Sequence, residues 1–188
     1  MGAVDVIDGL YVAVDTTGLP GRVPGWEPRL VGLGLAVVAG GVVTENMGGL
    51  ILQPSDHLRD ARARGAWKSN GLSPEAVEEQ GEPQEAALAV LAMTSAAYGT
   101  LRGFNAPFLM HFLPGMEWGK CVMEEAAKLI MGPMQERIGL VVALQWAMEE
   151  GHDVAAPSKP HHRAHGNAVR IAKLAIALEQ EKKNACYE

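Results

Sequence analysis

The side chains able to do chemistry in this chain form a few separated groups. His161, His162 and His165 stand close together, and His152, Asp153 and Asp15 are further donors that a fold could bring to them. His161 and His165 are four residues apart, so on a helix they would share a face and could both ligate a transition metal. Spacing identifies no third ligand, and the blander reading is a helix start that happens to be rich in histidine. Two basic clusters, Arg59, Arg62, Arg64 and Lys68 in one segment and Lys159, Arg163, Arg170 and Lys173 in another, carry the charge that phosphate contacts need. Each is equally the pattern of a solvated helix face. Cys121 and Cys186 lie far apart without a CxxC or CxxH neighbour, which supports neither a zinc knuckle nor a disulfide framework.

The elements that must position these groups begin with a β-rich run at 10–15. Two more β-prone runs, 30–38 and 42–52, are joined by Gly40-Gly41, and paired glycines supply the positive φ of a tight hairpin. The opening therefore reads as a three-stranded antiparallel meander, with the Pro- and Gly-rich segment 18–28 as an irregular connection. After Pro54 the pattern becomes helical. Ser55 caps a short helix through about residue 64, Ser73-Pro74-Glu75 starts another, and 84–98 is rich in Ala and Leu. A fourth strand is expected at 100–104, a helix from 106 and a fifth strand at 120–122. Helices at 123–130, 140–150 and 164–183 follow. In the last of these Ala164, Ala168, Ile171, Ala172, Ala175 and Leu178 fall at helical spacing.

Composition bounds what such a chain does. Its 188 residues fit one domain spanning 1–188, and 48% apolar with 20% charged residues argues against both disorder and a membrane class. The longest apolar run, 30–43, contains four glycines and is shorter than the roughly 18 to 20 residues of a membrane span. The N-terminus carries Asp5 and Asp8 and lacks signal-peptide order, so the expectation is a cytoplasmic protein without a membrane partner. A net charge of −6 works against a large nucleic-acid surface but leaves room for a local one.

Three short stretches narrow the fold. The stretch Val12-Ala13-Val14-Asp15-Thr16-Thr17-Gly18-Leu19 resembles the first motif of the DEDDh-type 3′→5′ exonucleases, Asp-x-Glu-Thr-Thr-Gly-Leu. Phe104-Asn105-Ala106-Pro107-Phe108-Leu109-Met110-His111-Phe112-Leu113 resembles the second, His-Asn-x-x-Phe-Asp-x-x-Phe-Leu, with Asn105, Phe108, Phe112 and Leu113 in register. His162-Arg163-Ala164-His165-Gly166-Asn167-Ala168 resembles the third, His-Arg-Ala-x-x-Asp-Ala. Asn70-Gly71-Leu72-Ser73-Pro74-Glu75 is similar to a stretch common between the third strand and the long helix of that family. Order and spacing together cover roughly 10–180. The resemblance implies an α/β, RNase H-like fold, a mixed five-stranded sheet flanked by helices.

It also implies which residues matter. In the family, four acids hold two divalent ions about 4 Å apart, and a histidine deprotonates the metal-activated water. Residues 13 and 15 alternate onto one strand face, as two carboxylates for one site must. Here the four positions read Ala13, Asp15, Leu109 and Asn167, and the histidine is His162. One carboxylate cannot balance two divalent ions, so no metal cofactor is expected, with Asp15 the one candidate ligand for Mg²⁺ or Mn²⁺ if the chain is active after all. Without a metal-bound water, His162 has nothing acidic enough to deprotonate. The residues that in the family touch nucleic acid are retained: Thr16, Thr17, Gly18, Leu19, Asn105 and Phe108, with Arg163 beside them. The same residues also serve the turn and the core. The expectation is a catalytically degenerate exonuclease homologue that binds single-stranded nucleic acid or a protein partner. The alternative is an atypical active exonuclease. Leu109, at the place of a metal acid, implies that the cleft has filled in or meets a protein, with Met116, Trp118 and Met123 nearby.

Overall fold

The computed structural model describes residues 7–154 and 164–185. Three strands, β1 (Gly9–Thr16), β2 (Leu30–Ala39) and β3 (Val42–Leu50), form the antiparallel meander, and β4 (Leu101–Gly103) adds to the other edge of β1 in parallel. The sheet order is β3-β2-β1-β4. Gly40 and Gly41 turn the hairpin at φ 61° and 75°, a pair of positive values that a residue with Cβ rarely adopts. Their N–H groups donate to the Asp8 carboxylate at 2.9 and 3.1 Å.

Among the described residues the sheet has four strands, not the expected five. Leu101 makes one isolated parallel bridge to Trp118, closed by Leu101 N–H to Glu117 C=O at 2.9 Å and Gly119 N–H to Leu101 C=O at 2.8 Å. β4 is only three residues long and offers little edge to pair with. Residues 120–122 turn instead into α6 (Val122–Met131), whose first turn carries Glu124 and Glu125 where acids favour a helix start. The single helix expected at 55–64 is also broken. It becomes α1 (Ser55–Leu58), a 3₁₀ turn (Ala61–Ala63) and α2 (Arg64–Asn70). The break is Asp60, extended at ψ 137°, whose carboxylate accepts the Arg62 N–H at 2.8 Å and starts a new turn.

The remaining helices are α3 (Pro74–Gln80), α4 (Gln84–Tyr98), α5 (Ala106–Phe112), α7 (Leu140–Glu149) and α8 (Ala164–Ala185). Ser73 caps α3 by accepting the Ala76 N–H at 3.1 Å. Alternation along β1 divides the core. Leu10 and Val12 pack with Leu91 of α4, with Leu109 of α5 and with Leu113 just after it, while Tyr11 and Ala13 pack with α6, α7 and the apolar stripe of α8. At the far edge the buried Arg102 pairs with Glu125 of α6 and donates to the Tyr11 hydroxyl at 2.9 Å. Burial pushes the Tyr11 phenol up to about 12, against the opposing pull of Arg102. No described helix is long and apolar enough to cross a membrane.

One contact fixes where α8 begins. A Cβ added at Gly34 would lie 2.2 Å from the Ala164 carbonyl carbon, and one at Gly48 would lie 2.8 Å from the His165 Cβ. Only glycine lets the helix start sit this close to the backbones of β2 and β3.

Candidate functional site

The first and third motif stretches meet at the end of β1, where Asp15 reaches the start of α8. Asp15 is 4% exposed and lies on the same face as Ala13, beneath the first turn of α8. Its Oδ2 accepts the Ala164 N–H at 2.7 Å. The first N–H groups of a helix have no partner within it, and a carboxylate there is favoured by both the hydrogen bond and the helix dipole. Asp15 is therefore bonded to α8 across 149 positions of sequence. Gly32, its neighbour on β2, leaves room for this, since a Cβ there would lie 2.9 Å from Oδ2.

The other positions that the resemblance matches to metal-binding acids lie elsewhere in the packing. Ala13 is buried in the core beneath α8, and Leu109 is 3% exposed in the core on the opposite face of the sheet. A Cβ on Gly103 would lie 2.2 Å from Leu109 Cδ1, so the leucine fills the space above β4. Leu109 is thus a core residue of the fold. Asn167 is half-buried and its Oδ1 accepts from Arg170 Nη1 at 3.2 Å. The donor set at these four positions, one carboxylate, one amide and two hydrocarbons, does not fit a pair of divalent ions. His162 and Arg163 lie outside the described residues, as do His161 and Lys159.

The second metal constellation is not assembled. His152 is 3.1 Å from Glu181, Asp153 pairs with Lys173 at 2.7 Å, and His165 Nε2 donates to Asn46 Oδ1 at 2.5 Å. Among the described residues no three His, Cys, Asp or Glu side chains come together to hold a metal. Cys121 is buried and accepts the Ala106 N–H at 3.3 Å.

The turn after Asp15 is intact and tightly braced. The Thr16 hydroxyl donates to Gly18 C=O at 2.7 Å, and Asn70 Nδ2 donates to Thr16 C=O at 2.9 Å. Thr17 is fully buried, bonding Arg29 twice: its N–H to the Arg29 carbonyl at 2.9 Å, and its Oγ1 from the Arg29 N–H at 2.8 Å. Leu19 projects from the turn, about half exposed. Asn105 takes the left-handed conformation at φ 64° and caps α5, its carbonyl accepting from Phe108 and Leu109. Phe108 meets Phe112 edge to face at 5.1 Å and packs on the core, as do Met116 and Trp118. Met123 is buried in the other core.

The structure adds residues to which the sequence assigned no chemistry. The Thr17 hydroxyl lies 2.9 Å from His57 Nε2, and the His57 ring stacks on Trp26 at 4.2 Å. Burial, with Arg29 second, lowers the His57 pKa and keeps the imidazole neutral. Arg62 lies over the Trp26 ring at 4.6 Å. Segment 18–28 reads only as an irregular connection, and nothing local in it shows that Trp26 folds back beneath the turn. The first basic cluster is divided: Arg59 pairs with Glu75 and Glu78, and Arg62 with Asp60.

No protein-family model and no curated protein matches the chain. Solved structures do. Exonuclease X in complex with 5′ overhanging duplex DNA superposes with a TM-score of 0.66 at 19% identity, covering 93% of this chain and 92% of that one. The nuclease domain of 3′hExo, a DEDDh family member, bound to rAMP, gives 0.66 at 11% identity over 92% and 91%. The metal-free form of the E. coli ExoI–ssDNA complex gives 0.56 at 13% identity, covering 93% of this chain but only 40% of that protein. The chain has the α/β fold of the DEDDh exonucleases.

Proposed function

We propose that this protein is a catalytically degenerate exonuclease homologue that binds single-stranded nucleic acid without cutting it. The observation that carries the reading is the use of Asp15. The one acid left at the four metal positions is buried and bonded to the first N–H of α8 at 2.7 Å, while Leu109 belongs to the core. A carboxylate so engaged is a structural anchor, and a metal would have to compete with the helix for it. Without the metal, no group lowers the pKa of an attacking water into reach of a histidine base.

Binding is supported by what remains. The turn 16–19 keeps its shape through contacts that involve no metal position, and loss of acids lowers the repulsion that phosphate would meet. Two neighbours of this fold were solved with a nucleotide or a metal-free single strand, 3′hExo with rAMP and E. coli ExoI with ssDNA. Arg64 and Lys68 on α2, with Arg163 of the third motif, are cations available to a strand.

The test is incubation of labelled single-stranded DNA and RNA with Mg²⁺ or Mn²⁺, against EDTA, alongside a salt titration of binding. The expected outcome is no nucleotide release. Affinity falls steeply with salt and weakens in Arg64→Gln and Arg163→Gln. Release that EDTA abolishes returns the chain to the active exonucleases. Absence of binding at low salt leaves protein interaction or a purely structural role.

A further inference from the structure

On the α4 side of the sheet one strand is left without cover. Leu33, Leu35 and Val37 of β2 lie in the core with Leu91 of α4, and the register places Gly49, Met47 and Glu45 of β3 beside them on the same face. Helix α4 lies over β1 and β2, so a groove of about 260 Å³ runs between it and β3, lined by Leu33, Leu35, Met47, Gly49, Ala86 and Val90. That volume is below the roughly 300 Å³ at which small-molecule sites begin, so the groove suits a few side chains of a larger partner. On α4, Ala86, Val90, Met93 and Ala97 recur at helical spacing, with Val90 46% and Met93 74% exposed. A contiguous apolar stripe left bare in this way marks an interaction surface.

The outer edge of β3 sets the shape of what docks there. It pairs with no strand among the described residues. A bulge at Thr44 interrupts the pairing with β2, but from Glu45 to Leu50 the strand is regular, and it carries neither the Lys nor the Pro that blunts many exposed edges. Alternate residues of that stretch turn their N–H and C=O groups outward, a template for an added extended strand. A segment paired there would point every second side chain into the groove, over Gly49 and Met47.

Charge sets its sequence. At one end of the groove the Glu82 N–H donates to Leu50 C=O at 3.0 Å, and Glu85 stands in the first turn of α4. At the other end Glu45 accepts from the Tyr98 hydroxyl at 3.1 Å. All three acids are exposed, and among the described residues none forms an ion pair. Neither β3 nor α4 contains a Lys or an Arg. A second copy of this chain does not match, because two such grooves brought together set acids against acids in either direction. A nucleic-acid strand is repelled in the same way.

We propose that the groove between β3 and α4 docks an extended segment of a partner protein, apolar at alternate positions and flanked on both sides by Lys or Arg. This surface is independent of the nucleic-acid-binding reading, since neither the turn 16–19 nor positions 13, 15, 109 and 167 line it.

Random peptides displayed on phage and selected on the full chain, with counter-selection on Gly49→Leu, test this. A Cβ at Gly49 meets nothing within 4 Å, so the leucine fills the groove from open space and the thermal midpoint should be kept. Val90→Lys changes the opposite wall at an exposed position and is the second control. The expected yield is sequences with alternate apolar residues between basic ends. A synthetic peptide of the enriched sequence, followed by fluorescence anisotropy, should bind about tenfold or more weakly to either variant. Glu45→Gln and Glu85→Gln should each weaken it about threefold, the scale of an exposed ion pair. No enrichment, enrichment of acidic or unpatterned sequences, or affinity indifferent to both Gly49→Leu and Val90→Lys overturns the proposal. So does a dimer in sedimentation that Gly49→Leu dissociates, which assigns the groove to a second copy. None of these results alters the oligonucleotide test above.

Discussion

The two sides of the chain at the end of β1 have opposite fates. Toward α8 and α5, where the fold family carries its metal acids, everything is closed: Asp15 is taken by the helix start, Ala13 and Leu109 by the cores, and the approach of α8 is so near that Gly34 admits no Cβ. Toward α2 the chain stays open, with an exposed Leu19, an unpaired Arg22 among the described residues and a cavity lined without acids. The difference is one of packing. Catalysis by two metals requires polar groups held apart around an opening, whereas Ala13, Asp15 and Leu109 are buried against packed neighbours. The turn is held by bonds to Arg29, Asn70 and Gly18, none of which involves positions 13, 15, 109 or 167.

If the closed side is closed, restoring an acid there should be costly. Leu109→Asp places a carboxylate in an apolar core and forfeits the leucine contacts, an expected loss of about 4 kcal/mol or more in denaturant unfolding. A near-neutral result would mean that the position opens to water and that the comparison fails. Gly34→Ala presses a methyl against the α8 backbone and should cost about 3 kcal/mol, read as a lowered midpoint with the slope unchanged. Asp15→Asn keeps volume and an acceptor but loses the charge, so the expected cost is about 1 to 2 kcal/mol. An unaltered midpoint would show that Asp15 does not hold the helix.

The smallest effect is expected on the turn. The His57 pKa is depressed in the folded chain, chiefly by burial, so the folded state binds fewer protons than the unfolded state below the ordinary histidine value near 6.5. Stability should fall as pH drops below that value and stop changing below the folded-state pKa. His57→Gln should flatten this slope, as followed by thermal unfolding between pH 7 and 5. A slope that persists in the variant assigns the pH response to another group.

Much of this architecture is legible in the residues. The hairpin is announced by Gly40-Gly41, helix α4 by its composition, and α8 by its apolar stripe, because each is a local signal. The break of 55–64 is not, because Asp60 could cap a turn or sit on a helix surface, and only its bond to Arg62 decides. The fifth strand is overread because the β tendency at 120–122 competes with a helix start that has stronger support from Glu124 and Glu125. In the site, the departures at 13, 109 and 167 from the resembled motifs are legible in the sequence. The bond from Asp15 to Ala164 and the placing of Trp26 beneath the turn are contacts between distant segments, which no spacing encodes.

We propose that Asp15, which the resemblance matches to a metal ligand, serves the fold instead. That proposal is tested most directly by a crystal structure of the protein soaked in Mn²⁺, with anomalous scattering measured around Asp15. The expected result is no Mn²⁺ peak at coordination distance from its carboxylate, with Oδ2 still on the Ala164 N–H. One or two ions bound there, with the helix start released, would contradict it.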